Sequence, residues 1–569
     1  MTSFCSILEE TASEIPEKPL FVFAETRWRS AEQLTYGELG SRSLSVAKTL
    51  FEFSDRGDRA LLLFPAGPAF WEAFFGCLVA GVIAVPLHIP NLNRKSDLLA
   101  GVCRECVPSV LMTDSKTAEL LHRRADRHPY LSGIPVTTPD DWRNTPACFP
   151  RKKCDENTTA FLQYTSGSTS RPKGVQISHA NLLFNLRLIY ERMQLRRLED
   201  RAVTWLPHYH DMGLVGSYLG AFFAGITSWC LPPEEFVLNP GHWLQLISEN
   251  QAGVCGCPDF GYRHCVKKIS EDELEAIDLS SWRVAYIGAE KIRAETLTRF
   301  SQKFRSCGFQ YRSFFPCYGL GETTLMVTGG PAEASPVIRH VSTSGLSRQR
   351  IATPEAAHDQ TILVGCGQII TESQIAILEP ERHTVLENDQ IGEILVAGPS
   401  VTCGYVSGHE LNAAHFCHLT IDGERHQFFR TGDLGFLSGS ELFIVGRNSE
   451  MMIVRGRNLY PEDIEECTSA AHDDLAPDGC IAFSVEFDGQ EELVVVAELR
   501  RSVLDSESFA GVLAAIRQEL SAGFGINPVE ILLVRPATLP RTTSGKLRRM
   551  SLRDSYQRGT LTDVTDGRS

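Results

Sequence analysis

The sequence predicts an α/β protein: a large N-terminal domain of layered α/β sheets with a β-rich subdomain, then a small mobile α+β C-terminal domain. Three observations carry that reading. The chain has 569 residues, too many for one hydrophobic core. Short apolar runs alternate with helical spacing through its N-terminal part, the pattern of layered sheets with helices packed on them. From Leu363 the texture changes to strand-like pieces in close succession. Hydrophobic residues at 43% and charged residues at 22% are ordinary globular values and exclude a disordered or fibrous chain.

Taken in order, Arg59-Ala-Leu-Leu-Leu-Phe64 and Gly81-Val-Ile-Ala-Val-Pro86 suit strands buried on both faces. Between them, Pro68 to Ala80 places Phe70, Phe74, Phe75 and Leu78 on one side of a helix. Strand–helix–strand order recurs around Phe161, Ala202, Val254 and Val284, predicting largely parallel sheets. Met212 to Pro232 lacks charge and is long enough to span a bilayer. Its Gly213, Gly216, Gly220 and Gly225, with polar Ser217, Thr227 and Ser228, instead predict a buried helix with a small-residue face. Ala73 to Pro86 is too short to span and ends in proline, so no transmembrane segment is expected. Ser373–Leu378, Gly392–Val396 and Glu441–Val445 form the predicted β-rich subdomain. After Met451 comes an α+β unit, with a strand at Glu492–Ala497 and a helix at Phe509–Leu520. The expected division is 1–448, 449–555 and a polar tail, 556–569, that frays.

A net charge of -15 excludes non-specific nucleic-acid binding, which needs a basic face, and requires any phosphate site to be locally positive. Met1 to Glu10 shows no basic-then-apolar leader, which predicts a cytoplasmic protein whose 17 cysteines are reduced. Cys103 and Cys106 form a CxxC without a second pair, so they read as small apolar residues.

The chemistry begins at Tyr164-Thr-Ser-Gly-Ser-Thr-Ser-Arg-Pro-Lys-Gly174, between a strand ending at Tyr164 and a helix beginning near Ala180. Backbone N–H groups and the hydroxyls of Thr165, Ser166, Ser168 and Thr169 can face phosphate oxygens, Gly167 and Gly174 permit the bends, and Lys173 adds charge. The loop is not of the common Walker type, because Lys173 precedes Gly174 and no hydroxyl follows the lysine. Further motifs follow in order: Trp205-Leu-Pro-His-Tyr-His-Asp-Met-Gly-Leu214, Gly288-Ala-Glu290, Tyr318-Gly-Leu-Gly-Glu-Thr323, Tyr405, Arg430-Thr-Gly-Asp-Leu-Gly435, Gly446-Arg447, Gly456 to Glu465, and Ser544-Gly-Lys546. Each alone is weak, but the ordered series is not accidental.

On these motifs the chain resembles the acyl-adenylate-forming superfamily of acyl-CoA synthetases, peptide-synthetase adenylation domains and luciferases. It is most similar to the fatty acyl-AMP ligases, through the 205–214 string and an extra segment at about 337–361 ahead of Leu363-Val-Gly-Cys-Gly367. The resemblance implies ATP and Mg²⁺ as cofactors and adenylation of a fatty acid to acyl-AMP and pyrophosphate. It implies that Tyr318 stacks on adenine, with Gly288, Ala289 and Glu290 shaping the base pocket and Gly319 and Thr323 beside them. Asp433 would accept from the ribose hydroxyls and Arg447 would hold the ribose and phosphate side. Glu322, with Thr165, would hold the metal. His210 would lie near the reacting carboxylate, Asp211, Met212 and Gly213 would line the substrate pocket, and Lys546 would bridge carboxylate and α-phosphate.

Departures from the family pattern are Ser449-Glu450 at the hinge, where Glu450 keeps the acid, Lys291 after Gly288-Ala-Glu290, and Gly321 within the Tyr318 motif. The expected acceptor is the phosphopantetheine thiol of an acyl carrier protein, or of a polyketide or peptide synthase carrier domain, in trans. Arg455, Arg457, Arg541, Lys546, Arg548 and Arg549 concentrate positive charge that could receive an acidic carrier. The alternatives are an acyl-CoA ligase, which the 337–361 segment disfavours, and a non-catalytic adenylate- or lipid-binding relative, which retained Lys546, Glu322 and Asp433 disfavour.

Overall fold

The computed structural model describes residues 4–26, 31–93, 96–147, 155–165, 172–356, 359–369, 372–379, 384–406, 408–421, 423–454, 457–487, 490–503, 509–541 and 547–564. The chain forms two compact units: residues 1–337, 366–374 and 396–429 make the first, and residues 338–365, 375–395 and 430–569 the second. The α/β class expected from the sequence is the one observed.

In the first unit, one sheet runs in the order Val136–Thr137, Val110–Thr113, Arg59–Leu63, Ile83–Pro86, Thr159–Thr165, Lys173–Ser178. All neighbours are parallel except the last pair, an antiparallel hairpin. A second sheet has six parallel strands at its centre, in the order Phe314–Gly319, Val284–Ile287, Val254–Gly256, Arg201–Thr204, Thr227–Cys230, Pro19–Phe23. Met326–Gly329 and Glu32–Thr35 flank these six antiparallel at either side. Val284–Ile287 is buried at every position, which is why it reads as an unbroken apolar run. The helix Pro68–Ala80 forms as expected, with Phe70, Phe74, Phe75 and Leu78 in the core.

The Met212–Pro232 segment departs from the single helix expected. It is π-helical over Met212–Leu219 and α-helical over Gly220–Ala224, and it ends at Gly225 in the left-handed region (φ 67°). It then becomes the buried strand Thr227–Cys230, because Ser228 and Thr227 pair with neighbours in a parallel sheet. Cys103 and Cys106 both pack in an apolar cluster with Leu61, Leu99 and Leu111, and burial pushes their thiols up to about 11 and about 12. No helix among the described residues is long and apolar enough to cross a membrane.

The second unit holds most of a β-rich part in which Gln374–Leu378, Gly392–Ala397, Glu424–Ser438, Glu441–Arg447 and Gln360–Gln368 follow one another, with Ile338–Ser342 beside the last. Its C-terminal part is a three-stranded sheet, Leu475–Phe487, Gln490–Leu499 and Glu530–Val534. Alternating residues serve opposite faces of that sheet. Ala482, Leu493, Val495 and Ala497 pack with Ile516 and Leu520 of the helix Ala510–Phe524, while Ile481, Phe483, Val494 and Val496 pack with Leu552 of the helix Arg549–Gln557. The polar tail does not fray at Tyr556. That ring meets Phe483 edge-on, and Leu561 and Val564 rest against the same two cores, so apolar residues spaced through a polar stretch hold it.

Candidate active site

In the first unit, the carboxyl ends of parallel strands gather the expected residues, the position where open α/β sheets bind ligands. Tyr164 pairs with Gly174, and Thr165 with Lys173, so the 166–172 segment is bracketed by a closed ladder. Ser166, Gly167, Ser168 and Thr169 lie outside the described residues, as does the Thr165 side chain. Gly174 is required at its position. Its N–H donates to Glu105 Oε2 at 3.2 Å, and a Cβ there would sit 2.9 Å from the Tyr164 ring.

Glu322 sits in a short 3₁₀ turn, Gly321–Thr323, braced from two sides. Buried Asn185, on the helix His179–Arg192, donates to Thr323 O (3.3 Å) and Met326 O (2.9 Å) and accepts from Met326 N (3.1 Å). Thr402 N donates to Glu322 O at 2.9 Å. The Tyr405 hydroxyl donates to Glu322 Oε1 at 2.8 Å, and Lys173 Nζ lies 5.7 Å from the centre of the same ring, within cation–π range.

Gly288, Ala289 and Glu290 follow the strand Val284–Ile287, and Tyr318 and Gly319 end its parallel neighbour Phe314–Gly319, so the two groups leave the sheet side by side. Ala289 adopts φ 66°, and Glu290 Oε1 accepts from Phe260 N at 2.6 Å. Gln163, one residue before Tyr164, donates to Tyr209 O (2.9 Å) and ties the 208–211 turn to the strand that leads into the loop. His210 Nδ1 lies 2.7 Å from Asp211 Oδ1, and the same carboxylate oxygen accepts from Met212 N (2.7 Å). The π-helix begins there and carries Met212 and Gly213, and such helices recur at functional sites. Buried His208 packs at a tilt against Phe70 (ring centres 4.3 Å apart) and is held neutral, its pKa brought down to about 3 by burial.

In the second unit, Asp433 and Arg447 are directly opposed across an antiparallel pair, with Arg447 Nε donating to Asp433 Oδ1 at 3.1 Å. Asp433 is nearly enclosed (11% exposed) while Arg447 is open (53%), as suits a fixed acceptor beside an accessible cation. Lys546 lies outside the described residues. The chain on either side of it is held together, since Arg541 bridges to Leu547 and Arg548 N donates to Pro540 O at 2.8 Å.

One expectation is corrected. Arg549 does not belong to an exposed basic patch. Its Nε and Nη2 bind both oxygens of Glu465 at 2.9 Å, and Nη1 pairs with Glu450. Arg457 and Arg541 stay exposed while donating to Phe524 O (2.7 Å) and Asp478 O (2.6 Å), and Arg455 lies outside the described residues. Tyr405, Asn185 and Arg549 are the residues whose roles sequence reasoning missed. Tyr405 stands in the motif series, but its partner is 83 positions away.

A profile described as AMP-binding enzyme matches residues 8–406, and one described as Disco-interacting protein 2-like, AMP domain, matches residues 449–565. The chain is 34% identical to the medium-chain-fatty-acid–[acyl-carrier-protein] ligase JamA of Moorena producens, over 95% of this chain and 93% of that protein. It is 33% identical to the putative fatty-acid–CoA ligase FadD21 of Mycobacterium tuberculosis, over 98% of each. A Legionella pneumophila fatty acyl-adenylate ligase, solved with acyl adenylate and pyrophosphate, superposes with a TM-score of 0.76 at 32% identity, covering 99% of this chain and 97% of that one.

Proposed function

Because the chain belongs to the AMP-binding enzyme family, we propose that it uses ATP to adenylate a fatty acid and then passes the acyl group to the phosphopantetheine thiol of a carrier protein in trans. The observation that carries the adenylation step is the convergence of the Thr165–Lys173 bracket, Lys173, Tyr405 and Glu322 beside Gly288–Glu290 and Tyr318. The relatives named as fatty-acid ligases and the neighbour holding acyl adenylate support the substrate class.

A fatty acid is ionised at neutral pH, so no general base is needed. One carboxylate oxygen attacks the α-phosphorus of ATP, the bond from that phosphorus to the bridging oxygen breaks, and pyrophosphate leaves. The obstacle is repulsion between two anions, which Lys173 and Lys546 offset. Tyr318 and Gly288–Glu290 would take the base, Asp433 the ribose hydroxyls, Arg447 the ribose and phosphate side, and His210 with Asp211, Met212 and Gly213 the acyl carboxylate region. Glu322 and Thr165 offer the hard oxygen donors that Mg²⁺ favours, and one protein carboxylate suits an ion that keeps waters and substrate phosphates as its other ligands. When bound, that ion supplies charge neutralisation on the triphosphate. The proposed domains are 1–448 for adenylation and 449–555 for the part carrying Lys546, with Glu450 at the hinge.

Within the second unit, one group of contacts favours a carrier over CoA. The 337–361 segment is tied to the C-terminal part, with Asn458 N donating to Ser347 O (3.0 Å) and Gln349 Nε2 to Met451 Sδ (3.9 Å). Leu346 and Ile351 share an apolar cluster with Tyr460. A tether of this kind opposes the reorientation that CoA use requires. The similarity to a putative CoA ligase keeps thioester formation on CoA as the second reading. Pyrophosphate release across fatty acids of increasing length, with CoA or with carrier proteins, separates them. Efficient acyl-CoA formation would overturn the carrier assignment, and no pyrophosphate with any acid would overturn adenylation.

A further inference from the structure

We infer that Tyr405 is a positioning residue of the adenylation site, which fixes the Glu322 carboxylate through its hydroxyl while its ring seats the Lys173 ammonium. The inference rests on the reading of Glu322 as the carboxylate that holds the divalent ion. Tyr405 joins segments far apart in sequence. Its backbone bridges antiparallel to Val175, and on either side Gln176 N donates to Gly404 O (3.0 Å) and Val406 N to Gly174 O (2.9 Å). The 404–406 segment therefore runs as an added strand along the hairpin arm that leaves the phosphate loop. Tyr405 N in turn donates to Asn412 Oδ1 at 2.8 Å, and Thr402 Oγ1 donates to Gln176 O. The side chain is 2% exposed and has one polar atom, and that atom reaches Glu322.

An ionised carboxylate only accepts hydrogen bonds, so at 2.8 Å the Tyr405 hydroxyl is the donor of this pair. The hydroxyl fixes the plane of a carboxylate that otherwise turns about its last bond. The ring draws Lys173 toward the same point. One side chain thus holds an anion and a cation in fixed relation where the triphosphate and its ion would sit.

Tyr405→Phe keeps the ring and removes only the hydroxyl. The readout is Mn²⁺ binding to the enzyme–ATP complex, followed by electron paramagnetic resonance, together with metal-free ATP binding by calorimetry. Losing a hydrogen bond to a charged group should weaken Mn²⁺ binding about tenfold while leaving metal-free ATP affinity unchanged. Glu322→Gln should weaken Mn²⁺ binding further, and the double variant should be no weaker than Glu322→Gln alone. Wild-type Mn²⁺ binding by Tyr405→Phe, beside a weakened Glu322→Gln, overturns the inference and leaves the role of Glu322 standing. Additive losses in the double variant, or an equal loss of metal-free ATP binding, also overturn it. Normal Mn²⁺ binding by Glu322→Gln overturns the underlying role itself.

Discussion

Replacing Arg549 with methionine removes one cation shared by two carboxylates. The Arg549 and Glu465 side chains are each 11% exposed, and Glu450 is 20% exposed. Methionine preserves the apolar stem, so the loss is electrostatic. Removing one partner of a buried ion pair costs about 3–5 kcal/mol because the remaining charge stays buried. Glu465 Oε1 keeps a hydrogen bond from Ala482 N (3.0 Å), and Glu450 retains some water, which puts the loss at the lower end, about 3 kcal/mol. At about 1.4 kcal/mol per tenfold, amide exchange across Leu475–Phe487 and Gln490–Leu499 should accelerate about 100-fold. Hydrogen-exchange mass spectrometry resolves this, with Arg59–Leu63 and Val284–Ile287 as internal controls. Arg549→Lys, which keeps the charge but loses the fork, should fall between. Unchanged protection in Arg549→Met, or an equal loss in the control strands, would refute the reasoning.

Lys546→Ala should lower pyrophosphate release by orders of magnitude while calorimetric ATP affinity stays near that of the parent enzyme, and normal adenylation would remove Lys546 from the mechanism. Gly174→Ala forces a methyl against Tyr164 and Glu105 and should destabilise by about 1–3 kcal/mol, read as a lower melting temperature together with a raised KM for ATP. His208 has a folded pKa of about 3, below its ordinary 6.5, so the unfolded chain binds the extra proton between those values. This group therefore removes stability as pH falls from about 6.5 toward 3, by up to about 1.4 kcal/mol per pH unit. His208→Asn should flatten that limb of a denaturation-versus-pH curve, and an unchanged slope would show that His208 takes up its proton without unfolding.

The fold class was legible because the informative strands are buried on both faces. Val284-Ala-Tyr-Ile287 and Leu493 to Ala497 are buried at every position and carry hydrophobic side chains throughout, and that leaves a contiguous signal. The Met212–Pro232 stretch misled because a helix end and a buried parallel strand there are both apolar, and only the left-handed turn at Gly225 parts them. Glu322, Lys173 and Gly174 were legible from local motifs. Tyr405, Asn185 and Arg549 were not, because their meaning lies in partners 83 to 141 positions away. Charge count alone suggested a solvated Arg549, whereas burial between Glu450 and Glu465 gives it the opposite character.

The π-helical winding of Met212–Leu219 has a consequence for how this protein can be altered. Each π turn holds about one residue more than an α turn, and Ser217 Oγ reaches back five residues to Met212 O. Deleting one residue between 213 and 218 removes that surplus residue, so the segment can relax to an α-helix while the helix beyond keeps roughly its phase. Tyr218, packed on Trp71 (4.7 Å) and Phe21 (5.3 Å), would then stay on that aromatic wall. This segment should therefore accept a one-residue deletion better than an α-helix of the same length, in which each deletion turns all that follows by about 100°.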